Sequence, residues 1–107
     1  MAYDLDQTEF ARRAGEAAAL LKALAHESRL MVLCQLLDGE FSAGALLDAS
    51  GLSQSALSQH LARLRDEGLV STRREAQTIY YSLADPAVAR VLQTLADIYC
   101  PPRRKRK

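Results

Sequence analysis

The polar side chains between Gln54 and Arg63 are the first candidates for chemistry, because they form a hydrogen-bonding face with little charge. Leu57, Leu61 and Leu64 recur at helical spacing and predict the buried stripe of that helix. The opposite face carries hydroxyls, amides and one alanine, contributed by Ser55, Gln59 and Ala62 with Gln54, Ser58 and Arg63 at the flanks. An amide pairs with adenine, a hydroxyl pairs with several bases, and an alanine methyl packs on the thymine methyl. The pattern therefore predicts a DNA-reading helix, and the alternative is an inert solvated face.

A second candidate for DNA contact follows this helix directly. Residues 69–73 and 78–83 are β-branched and aromatic runs separated by a short polar link, which predicts a β-hairpin. Arg73 and Arg74 lie on one side of its tip, with Gln77 on the other. Such side chains can contact phosphates or enter a minor groove. A lone polar hairpin is more often a solvated edge, but after a helix-turn-helix it is a wing.

The elements that position these residues are predicted from helix start and stop signals. Ser42 and Ser53 are predicted N-caps of two consecutive helices, and Gly51 lies in the turn between them, as in a helix-turn-helix. Two further helices, at residues 8–24 and 27–37, precede this pair.

A last helix opens at Asp85-Pro86 and ends near Tyr99. The predicted fold is mainly α with a β-hairpin wing, in the order α-α-α-α-β-β-α. This is a winged helix-turn-helix.

Length and composition set the broad class. The chain has 107 residues, of which 49% are hydrophobic and 25% charged, which favours one globular domain and excludes a disordered chain. No apolar run approaches the roughly 20 residues of a membrane span, and the acidic start lacks the n-region of a signal peptide, so we expect a cytoplasmic protein. The net charge of +1 conceals five basic residues at the end. We predict a domain at residues 1–102 and a disordered basic tail at 103–107.

The segments LAHESRLMVLCQLLDGE and LSQSALSQHLARLRDEGLVSTRREAQTIYYSL resemble the ArsR/SmtB family of winged-helix repressors, and the resemblance covers nearly the whole chain. It implies a homodimer paired through the first and last helices, bound to double-stranded DNA at an inverted-repeat operator. It also implies repression that is relieved when an inducer binds. The DNA-contacting residues it implies are Gln54, Ser55, Ser58, Gln59 and His60 in the recognition helix, and Arg73, Arg74 and Gln77 in the wing.

Metal-sensing members of this family carry a C-x-C pair in the helix before the helix-turn-helix, or Asp/His clusters in the last helix. This chain departs from both patterns, because Val32 stands two residues before Cys34 and the last helix has no histidine. Zinc requires three or four soft or imidazole ligands, and Cys34 with Cys100 supplies at most half of them. We therefore expect neither a metal site nor a cofactor.

The sequence is more similar to the thiol-based, BigR/SqrR/HlyU-like subgroup of the family. The shared features are SQSALSQHLARLRDEGLV, the wing EAQTIYYSL with Ala76 where many relatives have glycine, and one cysteine in each of the second and last helices. In that subgroup the two cysteines form an intramolecular disulfide or polysulfide link in response to reactive sulfur or oxidants. The resemblance thus implies that linking Cys34 to Cys100 releases the operator.

The residues themselves are compatible with such chemistry. A disulfide needs Cα atoms within about 7 Å of each other, which a last helix folded back beside the second can provide. Cys100 lies beside two prolines and five cations, a setting that favours thiolate and access, whereas Cys34 is on an apolar helix face and is expected to be more buried.

Two alternatives remain for the function: a metal-responsive regulator, and a regulator of virulence or biofilm genes without a small-molecule inducer. For the two cysteines, the alternative to a sensing role is that they are small buried hydrophobes. The inducer is also open between persulfide, peroxide and another electrophile. The sequence has no nucleophile elbow, phosphate-binding loop or H-E-x-x-H motif, so an enzyme is not predicted.

Overall fold

The computed structural model describes residues 6–100, and the order of its main elements is the predicted one. The helices are α1 (Gln7–Leu24), α2 (Glu27–Gln35), α3 (Ala43–Ser50), α4 (Gln54–Asp66) and α5 (Pro86–Tyr99), and the strands are β1 (Phe41–Ser42), β2 (Val70–Glu75) and β3 (Thr78–Leu83). The predicted basic tail lies outside the described residues. None of the helices in residues 6–100 is long and apolar enough to cross a bilayer.

Two details differ from the expectation. The helix predicted at residues 27–37 ends at Gln35 and continues as a 3₁₀ turn, Leu36–Asp38, before Gly39 at φ +130°. A two-residue strand, β1, then joins the hairpin. Two residues are too few to show the alternation of apolar and polar residues that marks a strand, so the sequence pattern did not reveal it.

The helix starts are fixed by side-chain caps, as the sequence predicts. The Oγ atoms of Ser42 and Ser53 accept hydrogen bonds from the backbone N–H groups three residues later, each at 3.1 Å. Asp85 Oδ1 accepts from the N–H of Ala87 at 2.9 Å, with Pro86 at the first helical position. A cap that was not predicted starts α2, where His26 Nδ1 accepts from the N–H of Ser28 at 3.2 Å.

The sheet is antiparallel and has the order β1-β3-β2. Strand β3 is therefore central, and its Tyr80 is opposite Ser42 of β1 on one side and Arg73 of β2 on the other. The hairpin turn contains Ala76 at φ +56°, a left-handed conformation that is unfavourable for residues other than glycine.

The core lies beneath the helix-turn-helix and holds it on the rest of the domain. Leu33, Leu46, Leu64 and Leu92, from α2, α3, α4 and α5, are almost completely buried. They come from four different helices, so the position of α4 depends on all of them. By contrast, large apolar side chains on α1 and α5 are exposed: Phe10, Leu21, Ile98 and Tyr99.

Candidate nucleic-acid interface and cysteine pair

The polar face of α4 is presented to solvent. Helix α4 buries Leu57, Leu61 and Leu64, as predicted, which turns the opposite side outward. The predicted base-contacting side chains on that side are all exposed: Gln54, Ser55, Ser58 and Gln59. Within residues 6–100 none of these four side chains takes part in a hydrogen bond. Their donors and acceptors are therefore available to an external partner.

A cleft of about 310 Å³ runs along one edge of this face, between α4, the start of α3 and Tyr81 of β3. Gln54, Ser58 and Arg65 line it from α4. Arg65 was not among the predicted contact residues. Its spacing of eleven from Gln54, about three turns, is the signal that could have placed it on the same edge. Arg63, which the sequence placed at a flank of the face, instead pairs with Glu67, with 3.4 Å between Nε and Oε2.

His60, the fifth predicted contact residue of α4, is less exposed than the other four. Its ring is half-buried against the ring of His26, with 4.8 Å between the centroids and 57° between the planes. Burial lowers the pKa of His60, and the neighbouring positive groups of His26, Arg29 and Arg63 lower it further. The side chain therefore joins α4 to the start of α2.

The two arginines of the wing differ sharply. Arg73 donates from Nε and Nη2 to the two carboxylate oxygens of Glu40, at 3.0 and 2.8 Å. Its Cζ lies 4.6 Å from the centroid of the Tyr80 ring, and Glu75 is a further partner at 3.5 Å. We call the contact of Arg73 with Glu40 and Tyr80 the wing clasp. Arg74 is exposed and forms no ion pair with any residue in the described part of the chain.

The wing clasp changes the electrostatics of the predicted contact residues. Hydrogen bonding to Glu40 raises the pKa of Arg73, and the same bond lowers the pKa of Glu40 below its ordinary value. Arg73 was expected to be an available cation, whereas in the structure it is already paired with Glu40 and Glu75. Arg74 and Gln77 are exposed near the tip, where they were expected.

The two cysteines lie on elements that pack against each other, α2 and α5. Cys34 is half-buried on α2 and Cys100 is exposed at the end of α5, so the predicted difference in burial is confirmed. Both thiols are free. Burial raises the pKa of Cys34, and the negative charge of a nearby Cys100 thiolate raises it further. In residues 6–100, no group of three or more His, Cys, Asp or Glu side chains is arranged to hold a metal ion.

A helix-turn-helix followed by a hairpin, with an exposed polar second helix, defines a winged-helix DNA-binding protein. Residues 26–72 match the family described as "Bacterial regulatory protein, arsR family". The chain is 51% identical over 92 residues to the transcriptional activator HlyU of Vibrio cholerae, covering 86% of this chain and 85% of that protein. The chain belongs to the arsR family of transcriptional regulators, whose similar members are regulators rather than enzymes.

Solved structures agree with this assignment. Reduced HlyU from Vibrio cholerae N16961 has a TM-score of 0.83 at 50% identity, over 87% of this chain and 98% of that one. The transcriptional repressor BigR from Xylella fastidiosa has a TM-score of 0.82 at 41% identity, over 92% of this chain and 100% of that one. The similar proteins thus include both an activator and a repressor.

Proposed function

We propose that this chain is a cytoplasmic, homodimeric repressor that binds an inverted-repeat operator and releases it when Cys34 and Cys100 become linked. One observation carries the proposal: α2, which bears Cys34, packs against α5, which ends at Cys100, and both thiols are free. Cys34 is on α2, which precedes the helix-turn-helix, and Cys100 is at the end of α5, the last helix of the domain. A link between them therefore couples sulfur chemistry to the position of α4.

The surface of the outer helices supports the dimer. Phe10 and Leu21 on α1 and Ile98 and Tyr99 on α5 are each at least 60% exposed. Several large apolar side chains exposed on two helices are typical of an interface. A two-fold dimer built on α1 and α5 holds two copies of α4 in a fixed relation, as two operator half-sites about 34 Å apart require.

The linking reaction needs an external two-electron oxidant. With a persulfide R–S–SH, one cysteine thiolate attacks the outer sulfur, forming Cys–S–SH and releasing the thiol R–SH. The second thiolate attacks the inner sulfur of Cys–S–SH, forming a disulfide and releasing HS⁻. With a peroxide R–O–OH, the first thiolate attacks the outer oxygen and breaks the O–O bond, which gives a sulfenic acid and releases R–O⁻. The second thiol then displaces water from the sulfenic acid to form the disulfide. If both thiols are first converted to persulfides, one Cys–S–S⁻ attacks the inner sulfur of the other Cys–S–SH, forming a trisulfide bridge and releasing HS⁻.

The link can act only through a difference in free energy between the DNA-competent and DNA-incompetent states. Such coupling amounts to about 1–3 kcal/mol, or roughly 5- to 150-fold in affinity. We therefore expect the linked protein to bind its operator about 5- to 150-fold more weakly than the reduced protein does. The reduced protein is the repressing form.

Intact-mass spectrometry combined with gel-shift titration tests this proposal. Wild-type protein treated with persulfide, peroxide or disulfide should show the mass of an internal link and a matching loss of operator affinity. Cys34→Ser and Cys100→Ser should each stay bound to DNA, because either change removes one end of the link. A response that persists in Cys100→Ser would show that Cys34 acts by itself. A response in the double variant would refute the thiol mechanism and leave a regulator with another inducer.

A further inference from the structure

The wing clasp joins the outer strand of the hairpin to the connection between α2 and α3. Glu40 immediately precedes β1, and Arg73 is in β2, so the two residues lie on opposite sides of the central strand β3. Adjacent strands are about 4.8 Å apart, and the Arg73 side chain therefore has to cross β3 to reach Glu40. Tyr80 of β3 is directly opposite Arg73 and supplies the ring over which the guanidinium lies.

The geometry of the wing clasp fixes the orientation of the Arg73 guanidinium as well as its distance from Glu40. A guanidinium that donates two nearly parallel hydrogen bonds to one carboxylate has a single preferred orientation, and the aromatic ring restricts it further. The side chains of Arg73 and Glu40 are 50% and 36% exposed, and pairs of this kind contribute little to global stability. The clasp therefore does more for the position of the hairpin than for the stability of the fold.

Charge separates the role of Arg73 from that of its neighbour. Arg73 lies between two carboxylates, those of Glu40 and Glu75, so its positive charge is compensated before any phosphate approaches. The two hydrogen bonds to Glu40 occupy Nε and Nη2 of Arg73, and Nη1 lies 3.5 Å from Glu75 Oε1, so all three nitrogens already face carboxylates. Arg74 follows it in β2, so its side chain leaves the opposite face of the hairpin, without an ion pair among residues 6–100.

We propose that Glu40 is a positioning residue for DNA binding: through the wing clasp it holds the hairpin where the wing and α4 reach the same duplex. Glu40 and Arg73 act as one unit in this role, and Arg74 supplies charge to the DNA. The inference rests on the proposed DNA-binding surface and concerns the reduced protein, so it does not depend on the cysteine link.

Glu40→Ala separates positioning from charge, because the two effects have opposite signs. Removing a carboxylate near the DNA should strengthen binding to every duplex, since one less negative charge opposes the phosphates. Loss of the clasp should weaken operator binding about fivefold or more, and leave binding to random DNA unchanged or stronger. Fluorescence-anisotropy titrations of the reduced protein on operator and random duplexes, over a series of salt concentrations, measure both. Tighter operator binding with a steeper salt slope would show a masked phosphate contact at Arg73 and overturn the proposal.

A double-mutant cycle tests whether Glu40 and Arg73 act together. Arg73→Lys keeps the charge but cannot form the paired hydrogen bonds, so we expect an operator loss similar to that of Glu40→Ala. The double variant should lose no more than either single variant, because the clasp is already broken. Additive losses would overturn the assignment. A thermal unfolding midpoint close to wild type in each variant excludes misfolding as the cause.

Arg74→Gln is the matched control on the same strand. It should weaken binding to operator and random DNA alike and flatten the salt slope by about 0.9, as expected for one lost phosphate contact. If the wild-type protein does not distinguish operator from random DNA, the proposed function fails before the clasp is tested. If it does distinguish them and Glu40→Ala binds like wild type, only the positioning role fails.

Discussion

The recognition helix and the wing lie on the same molecule but hold their polar side chains in different ways. On α4, Gln54, Ser55, Ser58 and Gln59 are exposed and make no hydrogen bond within residues 6–100. On the wing, Arg73 is fixed by Glu40 and by the ring of Tyr80. A surface that reads bases needs unpaired donors and acceptors. A surface that sets the distance between the wing and α4 needs side chains held in a fixed position. This difference is the basis of our proposals that α4 discriminates between DNA sequences and that the wing clasp aligns the hairpin.

The largest loss of operator affinity is expected on the outward face of α4, and it tests whether α4 discriminates between DNA sequences. Gln59→Ala removes an amide that can pair with one base, so we expect a loss of about 1–3 kcal/mol on the cognate operator and much less on random DNA. Competitive gel shifts with both duplexes measure the two losses. Ser71→Ala, an exposed position on β2 whose hydroxyl meets Ser82 at 3.2 Å, is a control outside that face. Equal losses on both duplexes would remove the base-reading role of Gln59.

A smaller effect separates two arginines on α4 itself. Arg65 lines the cleft beside Gln54 and Ser58, whereas Arg63 pairs with Glu67. We expect Arg65→Gln to flatten the salt dependence of binding by about 0.9 and to weaken all sequences alike, as one lost phosphate contact would. Arg63→Gln, with the same chemical change on the same helix, should alter the slope less. Identical slopes for the two variants would place the DNA elsewhere than along this cleft.

The smallest expected effect on DNA is that of His60, which lies on the inner side of α4. His60→Gln should leave operator affinity at neutral pH nearly unchanged, because the ring contacts His26 rather than the outward face. A clear loss of affinity, equal to that of Gln59→Ala, would restore His60 to the interface.

The same variant should change how stability depends on pH. The pKa of His60 is lowered in the folded protein from the ordinary histidine value of about 6.5. As the pH falls through that value, His60 is therefore protonated more in the unfolded chain than in the folded protein. Stability should therefore fall as the pH is lowered through that range, and His60→Gln should reduce this fall. Urea unfolding at pH 7.5 and pH 5.0 measures the difference between the two proteins. An equal fall in both would show that His60 does not contribute.

The sequence predicts those parts of the molecule that depend on residues near one another in the chain. The caps at Ser42, Ser53 and Asp85 and the leucine stripe of α4 are local patterns, and the structure confirms them. The order of helices and hairpin follows from such signals.

Contacts between distant segments were not predictable in the same way. Glu40 and Arg73 are 33 residues apart, and nothing in either local pattern indicates that they meet across β3. The packing of His60 on His26 was missed for the same reason, since a histidine at the edge of a polar face has no periodicity that shows which way it turns. The proximity of Cys34 and Cys100 came from resemblance rather than from spacing.

The unequal exposure of the two cysteines also determines the order in which the two thiols react with a reagent in solution. An alkylating reagent in solution meets the exposed thiol of Cys100 directly, whereas the half-buried Cys34, with its raised pKa, reacts more slowly. The first label on a folded chain therefore records the access of Cys100, and the delay before the second records the burial and raised pKa of Cys34. The order of the two mass increments thus distinguishes the accessible thiol from the half-buried one.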